Sequence, residues 1–179
     1  MQDLPSASQN VTQTALTDNS GGFTISGVGS GPFTGSITKG GYTPRALSGA
    51  TPKSVVINLD KTAPTISCSA SPNLLWPANH KMVTITVSVN VSDSRSGTAG
   101  FKLVSVTSNE PDNGLGDGDT PNDIQGWAIG TADTTGQLRA ERSGMGTGRQ
   151  YTLTYAADDV AGNHTTCVTT VIVPHDRGK

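Results

Sequence analysis

Along residues 82–92 the chain alternates with a period of two: Val83, Ile85, Val87, Val89 and Val91 fall on one side, Thr, Ser and Asn on the other. That pattern predicts a half-buried β-strand. Shorter stretches of the same character recur at 65–70, 101–108, 126–131, 137–142, 150–157 and 165–173, and Tyr151, Leu153 and Tyr155 share one face. No run of apolar residues at helical spacing is long enough to predict a helix. Turn residues separate the runs, as the 22 glycines and 10 prolines of the 179-residue chain allow.

Seven short strands at this spacing predict an immunoglobulin-like (Ig-like) β-sandwich over residues 65–179. Residues 61–64, Lys-Thr-Ala-Pro, read as a linker. Before it, residues 1–60 predict a small β unit, with candidate strands at 10–17, 23–26, 33–38 and 54–59 and strong turns at Asp18-Asn-Ser-Gly-Gly22 and Gly40-Gly41. The fold class expected is therefore all-β, an Ig-like sandwich preceded by a small, incomplete β-sandwich.

Two segments carry resemblances. Thr17-Asp-Asn-Ser-Gly-Gly-Phe, followed by Gly41-Tyr-Thr-Pro, resembles the carboxypeptidase regulatory-like β-sandwich. That family's opening strand is missing here, which implies an unpaired sheet edge that another domain or another chain would cover. In the second half, Trp76-Pro-Ala-Asn-His-Lys-Met-Val, Val106-Thr-Ser-Asn-Glu-Pro, Gly114-Leu-Gly-Asp-Gly-Asp-Thr and Asp158-Asp-Val-Ala-Gly-Asn resemble an Ig-like, hyalin-repeat-like module of large bacterial surface and secreted proteins. The resemblance implies an exported spacer, adhesive unit or enzyme appendage, with other domains of a larger surface protein as partners.

Composition narrows the setting. Charged residues make up 15% of the chain, net charge is −2, and the 12 Lys and Arg are scattered, which gives no nucleic-acid surface. No apolar run is long enough to span a bilayer, and the first residues have neither the basic start nor the apolar core of a secretory signal. Cys68 and Cys167 are the two cysteines. Two buried thiols or one disulfide fit them; low charge and β-rich composition, as in an extracellular or cell-surface protein, favour the disulfide. Closing a loop of about 100 residues would stabilise by roughly 4–5 kcal/mol in the chain-entropy picture.

Candidate chemistry gathers in one place. Residues 109–123 hold five acids, Glu110, Asp112, Asp117, Asp119 and Asp123, in a loop too polar and Gly/Pro-rich for a strand. Crowded carboxylates repel, and a bound cation is the common way to hold them in one shape. If consecutive strands run antiparallel, His80, Glu110, Glu141, Arg142, Arg149, His175 and Asp176 all fall at the same end of the sandwich as that loop. His164 falls at the other.

Three readings of this pole compete. In the first it is a structural network in which Arg139, Arg142 and Arg149 pair with Glu110, Glu141 and the loop aspartates. In the second, Asp117, Asp119 and Asp123 supply oxygens to a structural Ca²⁺. In the third, His80 and His175, with Glu110, Asp119 or Asp176, bind Zn²⁺ and leave a position open for water, while Arg142 or Arg149 holds an anionic oxygen: a small hydrolase of esters or phosphoesters. A Ser143-based triad lacks the Gly-x-Ser-x-Gly elbow. Aromatics at 4% offer little to a sugar, and Trp76 and Trp127 read as packing residues. The expected function is an exported, non-catalytic binding or spacer module, with the metal-dependent hydrolase as the alternative.

Overall fold

The structure, a computed structural model, describes residues 32–37, 45–50, 60–113 and 120–176. The described residues form nine strands and no helix. β1 (Pro32–Ile37) and β2 (Arg45–Ala50) make an antiparallel pair. β1 lies one residue from the expected 33–38. β2 was not foreseen, because Arg-Ala-Leu-Ser-Gly-Ala has no β-branched residue to mark it as a strand. The strands expected at 10–17, 23–26 and 54–59 lie outside the described residues.

From residue 65 the chain builds a sandwich. β3 (Thr65–Ser71), β4 (Met82–Ser92), β7 (Thr135–Arg139) and β6 (Ile124–Gln125) form one sheet in that spatial order. β5 (Thr98–Ser108), β8 (Gly148–Asp159) and β9 (His164–Pro174) form the other. All the pairings within these sheets are antiparallel. Lettered A to G in chain order, the sheets are ABED and CFG, the arrangement of the immunoglobulin constant-type sandwich.

The alternation read from the sequence becomes the core. Ile85 and Val87 of β4 and Leu138 of β7 pack with Leu103 of β5, Tyr151, Leu153 and Tyr155 of β8, and Val171 and Val173 of β9, all buried. The hydroxyl of Tyr151, near the start of β8, donates to the carbonyl of Arg139 at the end of β7 at 2.9 Å. This hydrogen bond ties the start of the sixth strand to the end of the fifth across the two sheets, the task of a tyrosine corner. Burial pushes the phenols of Tyr151 and Tyr155 up to about 12.

Two strands differ from expectation. Residues 126–131 form turns, and the fourth strand is the two-residue β6 just before them. The backbone of this segment is spent elsewhere: Leu103 N–H donates to the Thr131 carbonyl at 2.7 Å, and Gly130 N–H returns to the Leu103 carbonyl at 2.8 Å. Leu103 is free to do this because β5 is the edge strand of its sheet, where alternate residues turn their backbone groups away from β8. Trp127 then lies across Gly136, where a Cβ would sit 2.3 Å from the indole. The ring packs against the core, as a packing residue should, whereas Trp76 is 41% exposed. The strand expected at 137–142 is displaced to Thr135–Arg139, so Glu141 and Arg142 belong to the loop that follows it.

Cys68 and Cys167 form a disulfide, as expected. It joins β3 to β9, the first and last strands of the sandwich, whereas an antibody domain crosses its core between strands B and F.

Candidate functional site

Arg149 is the second residue of β8 and is fully buried at one end of the sandwich. Its five N–H donors have to be satisfied there, because a buried unpaired guanidinium costs several kcal/mol. Nη1 donates to Asp123 Oδ2 and to the Tyr151 hydroxyl, Nη2 to the Pro111 carbonyl at 3.2 Å, and Nε to Glu110 Oε2 at 3.3 Å. Burial works against the charge of Arg149, but hydrogen bonds with Tyr151 and Asp123 outweigh it and raise its pKa.

Asp123 is the hinge of the network. Its other oxygen accepts from Arg139 Nε at 3.0 Å. Arg139 spends its remaining donors on the carbonyls of His80, Pro121 and Asn122, at 3.0 to 3.3 Å. Burial pushes the Asp123 carboxyl up, against the pull of Arg149. Beside it, Asp112 accepts the main-chain N–H groups of Asp123 and Asn122 at 2.7 and 2.9 Å, and these hold its carboxyl below the usual range. Glu110 Oε2 also takes the Ser143 N–H at 2.7 Å. Four segments, after β5, before β6, at the end of β7 and at the start of β8, are thus fastened by two guanidiniums and three carboxylates.

The outer part of the pole holds the remaining expected residues. His80, in the left-handed region at φ 61°, places Nδ1 2.7 Å from Oε2 of the fully buried Glu141. Oε1 of Glu141 is buried with no hydrogen-bond partner among the described residues. Arg142 donates to the carbonyls of Pro174, Ser143 and His175, at 2.8 to 3.2 Å, and closes the end of β9 onto the β7–β8 loop. His175 Nε2 lies 3.2 Å from the Gly144 carbonyl, and its Nδ1 is 3.7 Å from Asp176.

The antiparallel strands thus bring His80, Glu110, Asp123, Glu141, Arg142, Arg149, His175 and Asp176 to one pole, and His164 to the other, where it meets Asp158 at 2.6 Å. Within the pole the two histidines have separate partners, Glu141 for one and the Gly144 carbonyl for the other. Among the described residues, no three of His80, His175, Glu110, Asp123 and Asp176 converge as ligands of one ion. Asp117 and Asp119 lie outside the described residues. An open cleft of about 280 Å³ lies between the loop and β8, lined by Thr107, Ser108, Glu110, Asp112, Asp123, Ile124 and Arg149. Its charged lining, Glu110, Asp112, Asp123 and Arg149, is the network just described.

The opposite pole holds acids that the sequence reading passed over. Asp60, Asp93 and Asp159 come from the segment before β3, the β4–β5 turn and the end of β8, and their carboxylate oxygens lie within 4.8 Å of one another. Asp60 and Asp159 are buried. Their hydrogen-bond donors are amides: Thr62 and Ser96 N–H for Asp60, Arg95 and Gly97 N–H for Asp93, and the main chain and side chain of Asn163 for Asp159. The Thr62 amide leads the causes that lower the Asp60 pKa. A signal was present, since Asp93 and Asp159 each open a turn closed four residues later by Gly97 and Asn163. With consecutive strands antiparallel, both turns and the segment before β3 fall at one end.

In comparisons with known proteins, no family model, curated protein or solved structure matches the chain.

Proposed function

We propose that residues 60–176 are an exported, non-catalytic structural module of a larger bacterial surface or secreted protein, serving as a spacer or binding unit. The observation that carries this reading is the buried network of Arg149, Asp123 and Arg139. Arg149 and Arg142, the groups that would hold an anionic substrate oxygen, are here spent on carboxylates and main-chain carbonyls. The disulfide between Cys68 and Cys167 supports the exported setting, because such bonds persist in oxidising compartments. Within this reading a hard divalent cation such as Ca²⁺ suits Asp60, Asp93 and Asp159, an all-oxygen set at the end where the chain enters the sandwich.

The test is a hydrolysis assay with chromogenic ester and phosphoester substrates, on the wild type and on His80→Ala/His175→Ala, with and without added zinc. The expected result is no turnover above buffer in either protein, with the variant as stably folded as the wild type. Turnover by the wild type that disappears in the variant would overturn the reading in favour of the metal-dependent hydrolase.

A further inference from the structure

The two strands joined by the disulfide are the ones through which the chain enters and leaves the sandwich. β3 begins at the pole of Asp60, and β9 ends at the opposite pole, beside Arg142. The two strands run the same way: past the end of β3, Leu74 forms a parallel bridge to Ile172 of β9. Leu75 N–H donates to the Ile172 carbonyl at 2.8 Å, and Ile172 N–H to the Asn73 carbonyl at 2.9 Å. Lower down, Ala70 N–H donates to Thr169 Oγ1 at 3.1 Å. Cys68–Cys167 and Ala70–Thr169 thus keep one offset along the two strands, and Leu74–Ile172 is within a residue of it.

Tension between the two ends of such a module pulls β3 from its start and β9 from its finish. The strands are driven past each other in shear, and their cross-links are loaded together instead of peeled one at a time. The weak links are single hydrogen bonds, each worth roughly 1 kcal/mol net. The disulfide is covalent, and it sits three residues inside β3 and seven residues before the end of β9.

We propose that the Cys68–Cys167 disulfide is the tension-bearing link of the module. Load passes along residues 65–68, across the sulfurs, and out along residues 167–174, while β4 to β8 and the buried arginine network carry none. The cysteines are 99 residues apart in sequence, so the bond withholds about 35 nm of chain from extension. A B–F disulfide in the same fold would leave strand A and strand G outside the closed loop and free to be stripped away. This inference adds a mechanical role to the structural module proposed above; the hydrolysis assay decides that reading without reference to force.

The experiment is force-clamp spectroscopy on the full 179-residue chain held by its two ends. Without reductant, no extension step of about 35 nm should occur in the unreduced protein. With a small thiol reductant in solution, single steps of about 35 nm should appear, and their rate should rise with the applied force, because a stretched S–S bond is the one being cleaved. Steps of that size without reductant, or a cleavage rate that stays flat as force increases, would overturn the proposal. Cys68→Ala/Cys167→Ala should give the same extra extension with no reductant present; if that variant does not fold, the reductant series on the wild-type chain still decides the matter.

Discussion

The two poles of the sandwich hold similar numbers of carboxylates and treat them in opposite ways. At the Arg149 pole, Asp123 and Glu110 meet fixed guanidiniums inside the protein. At the Asp60 pole, three carboxylates close on one another and are held by amides. A guanidinium brings its own charge and five donors in a rigid fork, so Asp123 and Glu110 find their counter-charges within the folded chain. Amides orient a carboxylate and neutralise little of its charge, and among the described residues the guanidinium of Arg95 is the one cationic group acting on Asp60, so the second pole is less fully compensated than the first. The lesson is that an acidic cluster is informative about ligands only after its counter-charges have been located.

The comparison is broken most severely at the arginine. Arg149→Met leaves the buried Asp123 beside one guanidinium fewer, and we expect a loss of about 3–5 kcal/mol in urea denaturation. Arg149→Met combined with Asp123→Leu should cost less than the sum of the two single changes, because removing both partners leaves fewer orphaned charges. A double-mutant cycle measures this.

The acidic pole should answer to a cation instead. Added Ca²⁺ at about 100 times its dissociation constant should stabilise the wild type by about 2.7 kcal/mol. Asp93→Asn/Asp159→Asn should keep its main-chain hydrogen bonds but lose that response in a thermal melt. If wild type and variant respond alike, the cation part of the proposal falls and the module reading stands.

A smaller effect sharpens the link between the network and the core. Tyr151→Phe removes the hydrogen bond to the Arg139 carbonyl and should cost about 1–2 kcal/mol, read from the shift of the urea midpoint.

The pH dependence separates Asp60 from Asp123 by sign. Asp60 has a lowered carboxyl pKa in the folded protein, so its contribution is present above the unfolded value near 4 and is lost as pH falls below it. At the other pole Asp112 acts in the same direction, but the raised Asp123 acts against it, since the folded state takes up that proton more readily. Asp60→Asn should therefore flatten the acid limb of the stability curve, and Asp123→Asn should steepen it. At high pH, Tyr151 and Tyr155, pushed up to about 12, stabilise below the unfolded value near 10, and this is lost as pH rises through 12.

By itself the sequence determined the all-β class, most of the strands and the core. The alternation of Val83, Ile85, Val87, Val89 and Val91 marks β4 to the residue, and Tyr151, Leu153 and Tyr155 fill one face of β8 as their spacing requires. A period of two is a local property, and burying one face of a strand leaves it written in the chain. The rule that neighbouring strands run antiparallel also sufficed to send His80, Glu110, Arg149 and His175 to one pole. What the sequence could not supply was who meets whom there. Whether Asp123 meets a metal or two arginines depends on side-chain reach and burial across segments as far apart as residues 123 and 149, and no spacing rule encodes that. Residues 126–131 look extended by composition and become turns because their hydrogen bonds go to Leu103, in the other sheet. The meeting of Asp60, Asp93 and Asp159 likewise exists only after the two sheets have closed on a shared core. Closure is what sets distances between residues that the chain itself keeps far apart.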